Sequence, residues 1–411
     1  MSVPALKSDL VFTPIEGSVS APAGFRAAGV ACGIKKSNGL DLALIVSDTP
    51  ASSAAVFTTN KAVAAPVVVS KARLQASGGR SRVVVINSGC ANACTGPDGY
   101  ATAEAMADAA AGAAGVDGSQ ALVASTGVIG VDLDVDKVHA GVTKALGLLA
   151  KAGHRDATFA IMTTDQFPKE AAVRVETAAG TFSVGGMAKG AGMIEPMMAT
   201  MLGFLTCDAQ VEPALLKKAL TAAVRDTFNA ITIDGDGSTN DTVFALANGA
   251  SNVVINDALY PALEAGIRAV SQKLAMGIVR GGEGATKLVT VRVTGAHEWA
   301  HAEKAARTIA NSLLVKTAIH GGDPNWGRLV AAAGRAGVPF ELAHASVKVG
   351  GIPLFANGQP HDENAPNAAE HLSGKDIDIE LDLGTGGSEQ ATIWTCDLSA
   401  EYVRINADYR T

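Results

Sequence analysis

Short runs rich in β-branched and other apolar residues, bounded by polar ones, recur in both halves of the chain. They predict strands over Asp41–Ser47, Pro66–Ser70, Arg82–Asn87, Ala171–Glu176, Thr242–Ala247, Lys287–Thr294, Ile377–Leu383 and Ala391–Asp397. Lys287–Thr294 alternates strictly, which is the pattern of a strand with one face buried. Between the strands lie alanine-rich stretches with Leu, Ile and Val at helical spacing. They predict helices over Ala101–Ala114, Asp136–Lys151, Glu212–Ala230, Ala258–Arg280 and Ala302–Ile319, with Pro261 in the first turn of the fourth. The class is α/β or α+β. No solenoid repeat, low-complexity tract or Pro- and Ser-rich linker breaks the chain, so 411 residues read as one large intertwined domain or two to three smaller ones.

Composition narrows the function classes. A net charge of −7 with no basic stripe argues against nucleic acid as the principal partner. Five cysteines (Cys32, Cys90, Cys94, Cys207 and Cys396) without paired spacing argue against a disulfide framework and for a reducing cytoplasm. The N-terminus lacks a signal-peptide pattern, and no stretch approaches eighteen uninterrupted apolar residues, so a soluble chain is expected. Aromatics make up only 4% while Ala, Val, Leu and Gly dominate, which favours close packing of small side chains over an aromatic binding surface.

The most informative passage runs from Gly185 to Phe204, glycine-rich and nearly charge-free, with one hydroxyl residue, Thr200, near the chain's midpoint. A threonine hydroxyl needs an adjacent base to act as a nucleophile, and one arrangement takes that base from the threonine's own α-amine after a cut before it. Gly190, Gly192 and Pro196 could hold the Ala199–Thr200 peptide in a strained turn; the plainer reading is a flexible loop entering a buried strand. A phosphate loop is excluded, because Lys189 precedes Gly190 and Ala191 stands where a P-loop needs Lys. Thr232–Thr242 places Asp234, Asp236 and Ser238 at calcium-loop spacing. Thr239 and Ala245 occupy the positions that need Gly and Glu, so a polar loop folding over a site, with Asn240 and Asp241 as hydrogen-bonding groups, fits better. His320–Arg328 gathers His, Asp, Trp and Arg, but the other histidines form no ligand cluster, which favours a rigid turn over a metal site. Ser125–Gly130 follows an apolar run and reads as a strand entering a glycine turn, where backbone N–H groups can form an oxyanion hole. Glu283 sits among glycines in Arg280–Lys287, either near a ligand or in a solvent loop.

Together these segments, with Met162–Asp165 and the terminal Asn406–Thr411, resemble the ornithine acetyltransferases of the arginine pathway in order along the whole chain. One departure is Cys90, where many relatives carry Asn, a packing change with consequences for local hydrogen bonding. The resemblance implies an α-β-β-α sandwich similar to that of the DmpA-type aminopeptidases. It also implies self-cleavage between Ala199 and Thr200 into an α chain (1–199) and a β chain (200–411). These would share one fold, with room for a smaller C-terminal subdomain, and assemble as an α2β2 heterotetramer. Thr200 corresponds to the nucleophile, Thr126 and Gly127 to the oxyanion stabilisers, and Thr164, Lys189, Thr200, Glu283, Asn406 and Thr411 to the substrate contacts. Of the neighbours Thr163 and Thr164, the second is preferred. The implied reaction moves the acetyl group of N2-acetyl-L-ornithine to L-glutamate by a ping-pong cycle through acetyl-Thr200. No metal or cofactor is called for, and acetyl-CoA is left open as a second donor, which would make the enzyme bifunctional as an amino-acid N-acetyltransferase. The competing readings are an N-terminal-nucleophile amidase or aminopeptidase of the same fold, and a non-catalytic binding protein that retains it.

Overall fold

The structure, a computed structural model, describes residues 11–195 and 201–408. They form two compact units. The larger comprises residues 11–195, 201–229 and 236–278, and the smaller comprises residues 230–235 and 279–408.

In the larger unit a nine-stranded sheet contains β1 (Val11–Pro14), β2 (Phe25–Val30), β3 (Leu42–Phe57), β4 (Arg80–Cys90), β5 (Ala121–Val128), β6 (Lys169–Thr177), β7 (Gly180–Lys189), β8 (Leu202–Cys207) and β9 (Thr242–Ala247). Its helices are α1 (Ala65–Ala76), α2 (Gly96–Ala114), α3 (Val135–Leu146), α4 (His154–Ile161), α5 (Pro213–Arg225) and α6 (Tyr260–Arg280), the last two residues of α6 falling in the smaller unit. The sheet order is β1-β6-β7-β8-β9-β3-β4-β5, with β2 also on β3. The sixteen-residue β3 is the pivot. Its first half pairs with β2 and β4, its second half pairs with β9, and the register with β4 slips between Val46 and Ala51.

Strand alternation sorts the two faces of β3 to β5. Leu42, Leu44, Val83, Val85 and Val123 pack against Ala103, Met106 and Ala107 of α2 and Val138 and Val142 of α3. Ala43, Ile45, Val84, Ile86, Leu122 and Ala124 point the other way, where they meet Met187, Leu202, Phe204, Phe244 and Leu246 from β7, β8 and β9, and Ile161 of α4. On the outer side of β6 to β8 lies α6: a Cβ at Gly186 would lie 2.9 Å from Val270 and 3.1 Å from Leu274. The layer order is therefore helix, sheet, sheet, helix, the α-β-β-α arrangement the sequence resemblance implies. β8 and β9, sandwiched centrally, are buried on both faces throughout.

In the smaller unit a six-stranded sheet has the order β13-β12-β11-β14-β10-β15, from β10 (Leu288–Ala296), β11 (Ser346–Val349), β12 (Ile352–Ala356), β13 (Gln359–Pro360), β14 (Asp376–Asp382) and β15 (Glu389–Cys396). Val289, Val291 and Val293 of β10 are buried, as strict alternation predicts, against Ala302, Ala305, Ala306 and Ile309 of α7 (Trp299–Ala310). The remaining helices are α8 (Leu313–Gly321), α9 (Trp326–Gly334), α10 (Ala365–Leu372) and α11 (Ala400–Asp408).

Two expected elements are corrected. Pro66–Ser70 is not a strand but the start of α1. Pro66 sits in its first turn, where a missing N–H costs nothing, and Pro66, Val69, Ser70 and Arg73 are buried at helical spacing. Ser70 fixes the helix to β5, its hydroxyl donating to the Val123 carbonyl at 2.6 Å and accepting the Val123 N–H at 2.8 Å. The helix expected over Ala302–Ile319 is two, because Ser312 leaves the helical backbone and its hydroxyl caps α8 by accepting the Val315 N–H.

Candidate active site

In the larger unit, the strand ends that the alternation turns inward carry the polar groups. Lys189 is the last residue of β7 and has the parity of Met187; Thr126 follows Leu122 and Ala124 on β5. Side chains from the two facing layers therefore meet. Lys189 Nζ donates to Thr126 Oγ1 at 3.3 Å and to Thr163 Oγ1 at 2.8 Å. Of the pair after α4, Thr163 is the one that touches Lys189. Thr164, the residue preferred from sequence, is half-buried in the same turn.

Gly127 follows Thr126 where β5 lies parallel to β4, opposite Gly89. Its φ of +128° lies where side chains are strained, and a Cβ there would sit 2.4 Å from the Gly89 carbonyl carbon and 2.6 Å from the Cys90 nitrogen. Only glycine permits this contact. Cys90 itself packs among Val85, Val123 and Leu133 and donates its thiol to the Val131 carbonyl at 3.3 Å, while its own carbonyl accepts from Asn87 Nδ2 at 2.9 Å. The thiol thus has both a packing partner and an acceptor, and burial raises its pKa.

The loop before β9 is hydrogen-bonded to this region. Asn240 is buried and donates to the carbonyls of Ala91 and Ser125 at 2.6 and 2.9 Å, fixing the backbone next to Thr126. Asp241 is fully buried, which raises its pKa well above the usual carboxylate range despite hydrogen bonds from Ser238 and the Met201 N–H and the nearby Lys189 charge. The sequence reading of a hydrogen-bonding polar loop holds for both residues.

Two further charged groups lie beside this site. Asp165 and Lys169 form an ion pair at 2.5 Å with side chains at most 1% exposed. Burial alone would raise the Asp165 pKa, but the Lys189 and Lys169 ammoniums and the Gly190 N–H hold it at about 2. A carboxyl whose folded pKa lies below its unfolded value of about 3.9 stabilises fully above that value and loses the contribution as pH falls toward the folded pKa. Stability should therefore drop by about 2 kcal/mol between roughly pH 4 and 2 on this group's account. Asp165→Asn should flatten that window in urea melts recorded across it.

In the smaller unit Glu283 is buried and accepts Asn406 Nδ2 at 2.8 Å, so the two residues expected to contact substrate are hydrogen-bonded to each other. Gly284, at φ +68°, lets the first turn of α11 approach; a Cβ there would lie 2.5 Å from the Tyr402 nitrogen. Tyr402 in turn donates to Asp234 at 3.2 Å, so Asp234 serves here as an anchor for α11. His320–Arg328 is a helix-to-helix turn: Gly322 ends α8 at φ +72°, Asn325 caps α9, and Trp326 stacks on Phe355 at 4.9 Å. His320 Nδ1 is held 2.7 Å from the buried Asp397 carboxylate. Ala199, Thr200 and Thr411, the proposed cut, nucleophile and terminal contact, lie outside the described residues. Among the described residues no group of three or more His, Cys, Asp or Glu is placed to hold a metal ion, and no helix is long and apolar enough to cross a membrane.

Comparison with known proteins extends the geometry. The profile of the ArgJ family matches residues 26–411. A protein of Thermosynechococcus vestitus described as arginine biosynthesis bifunctional protein ArgJ is 47% identical over 415 residues, covering 97% of this chain and 99% of its own. A protein of the same description from Chlorobaculum tepidum is 48% identical, covering 98% and 99%. Among solved structures, an ornithine acetyltransferase complexed with ornithine from Mycobacterium tuberculosis is 44% identical over 46% of this chain and 100% of that chain, with a TM-score of 0.42.

Proposed function

The chain belongs to the ArgJ family, and from that premise we propose that it moves the acetyl group of N2-acetyl-L-ornithine to L-glutamate, giving L-ornithine and N-acetyl-L-glutamate. The proposed nucleophile is Thr200, freed as an N-terminus by self-cleavage after Ala199. The observation that carries the reading is the Lys189–Thr126 contact beside the Gly127 close approach, with Lys189 in register with Leu202, two residues after Thr200. A cation, a hydroxyl and strand-end amides so arranged stabilise negative charge developing on an acyl oxygen.

In the proposed cycle the Thr200 hydroxyl attacks the Ala199 carbonyl, water resolves the ester, and the α-amine is released. With a pKa of about 7.7–8.0 for an ordinary α-amine, lowered by the Lys189 charge, that amine takes the hydroxyl proton at neutral pH. Thr200 Oγ then adds to the acetyl carbonyl, and the proton passes to the departing ornithine nitrogen. Glutamate's amine attacks the acetyl ester and regenerates the hydroxyl. Thr126 and Gly127 hold the oxyanion. Thr164, Lys189, Glu283, Asn406 and Thr411 are the proposed substrate contacts, with Thr163 joining them on the evidence of its hydrogen bond to Lys189. The cut would fall inside the larger unit, so both products share its sheet; an α2β2 assembly in the cytoplasm, with no cofactor and with acetyl-CoA as a second donor, completes the proposal.

The test is acetyl release from N-acetylornithine with and without glutamate. Acetyl-glutamate formation supports transfer. Acetate release indifferent to glutamate would instead indicate an amidase of the same fold. Lys189→Met should lower kcat/KM by about 10²-fold, the usual cost of losing one oxyanion-side donor, while far-UV circular dichroism stays unchanged.

A further inference from the structure

We propose that the buried Asp165–Lys169 pair is a positioning device that holds Gly190, where the chain leaves β7 toward Thr200, in the geometry self-cleavage needs. This rests on the reading that the chain cuts itself after Ala199.

Gly190 is gripped from both sides. Asp165 Oδ1 accepts its N–H at 2.8 Å, and Lys169 Nζ donates to its carbonyl at 3.1 Å. These bonds take over where the β7–β8 ladder stops, since Lys189↔Leu202 is its last pair toward the loop. The other Asp165 oxygen accepts the Thr163 N–H at 3.0 Å, and the Thr163 hydroxyl accepts from Lys189. One carboxylate therefore fixes the start of the loop and the partner of the site lysine together. The far end is tied in the same manner: the N–H of Met201, the residue after Thr200, bonds to the buried Asp241.

Folding alone does not require this arrangement. Removing two charges from water is expensive, and a well-packed apolar pair of similar volume is often as stable or more so. What the ion pair supplies is a donor and an acceptor at fixed positions on one residue's two peptide groups. A bond approached by its own chain's nucleophile needs such fixing, because a displacement of about 1 Å costs about 10²-fold in rate.

Two variants test this. Asp165→Asn with Lys169→Met removes both charges at similar volume, and Asp165→Glu keeps the pair but moves the carboxylate by a methylene. Purified full-length protein is followed by intact mass as the 1–199 and 200–411 chains appear, with near-UV circular dichroism and thermal melting alongside. Both variants should be folded and cut at least about tenfold more slowly than wild type. A folded double variant that cuts at the wild-type rate overturns the assignment. So does loss of fold in both variants, because the pair would then support the whole unit rather than the loop. Wild-type protein that never cuts sinks the self-cleavage reading itself, and that outcome is visible in the wild-type arm alone.

Discussion

Protein carrying Thr200→Ala is expected to remain a single chain of 411 residues and to lose acetyl transfer by at least about 10³-fold. In the proposed scheme the one hydroxyl is used twice, first against the Ala199 carbonyl and then against the acetyl group, so its removal abolishes both processing and turnover. Thr200→Ser keeps a hydroxyl and should still cut and turn over, more slowly, because the extra methyl of threonine restricts χ1 and serine lacks it. Intact mass reads the cut, and a coupled assay of N-acetylglutamate reads transfer. If Thr200→Ala still yields two chains, the nucleophile of cleavage lies elsewhere. If it stays whole yet transfers acetyl groups at the wild-type rate, Thr200 is not the acyl carrier.

The strand ends and glycine turns that carry the larger unit's candidate site were legible in the sequence, but their grouping was not. Local pattern marked Ser125–Gly130 as a strand entering a glycine turn, whereas the site roles of Thr126, Gly127 and Lys189 came from the family resemblance. What brings Thr126 and Lys189 to 3.3 Å is a shared parity on strands that face each other across a folded sheet, and no local window contains both. The role of Asp165 is hidden in the sequence for the same reason. Its signal was an acid four residues before a lysine, interrupted by Pro168, and a surface pair looks identical until burial at 0% and 1% exposure distinguishes it. The strand expected over Pro66–Ser70, which is helix, shows the converse. β-branched residues favour strands on average, yet one buried helical face and Pro66 in the first turn outweigh that preference. Glycines 185 and 186 were read with the loop but lie inside β7. They are small there because a Cβ at Gly185 would lie 1.9 Å from the Ser18 carbonyl oxygen and one at Gly186 would press on Leu205.

Gly127→Ala should be the most damaging small substitution among the described site residues. The added methyl meets backbone on the neighbouring strand, 2.4 Å from the Gly89 carbonyl carbon, and no rotamer change relieves it. The new residue also inherits φ +128°, so strain of about 1–3 kcal/mol is added to an overpacking cost of similar size. For a unit of this size that corresponds to a melting temperature lower by about 5–15 °C. Relief by separating β4 from β5 moves the Gly127 N–H away from the oxyanion, and a displacement near 1 Å should lower kcat by about 10²-fold beyond any loss of folded protein. Gly130→Ala separates the two costs. Gly130 has φ +74°, but a Cβ there meets nothing within 4 Å, so it carries the conformational strain without the collision. With strain of about 1 kcal/mol it should melt only about 2–4 °C below wild type and turn over normally. If Gly127→Ala lowers the melting temperature yet keeps full kcat in the folded fraction, Gly127 is a packing residue and the oxyanion must be held by Thr126 and Lys189 alone.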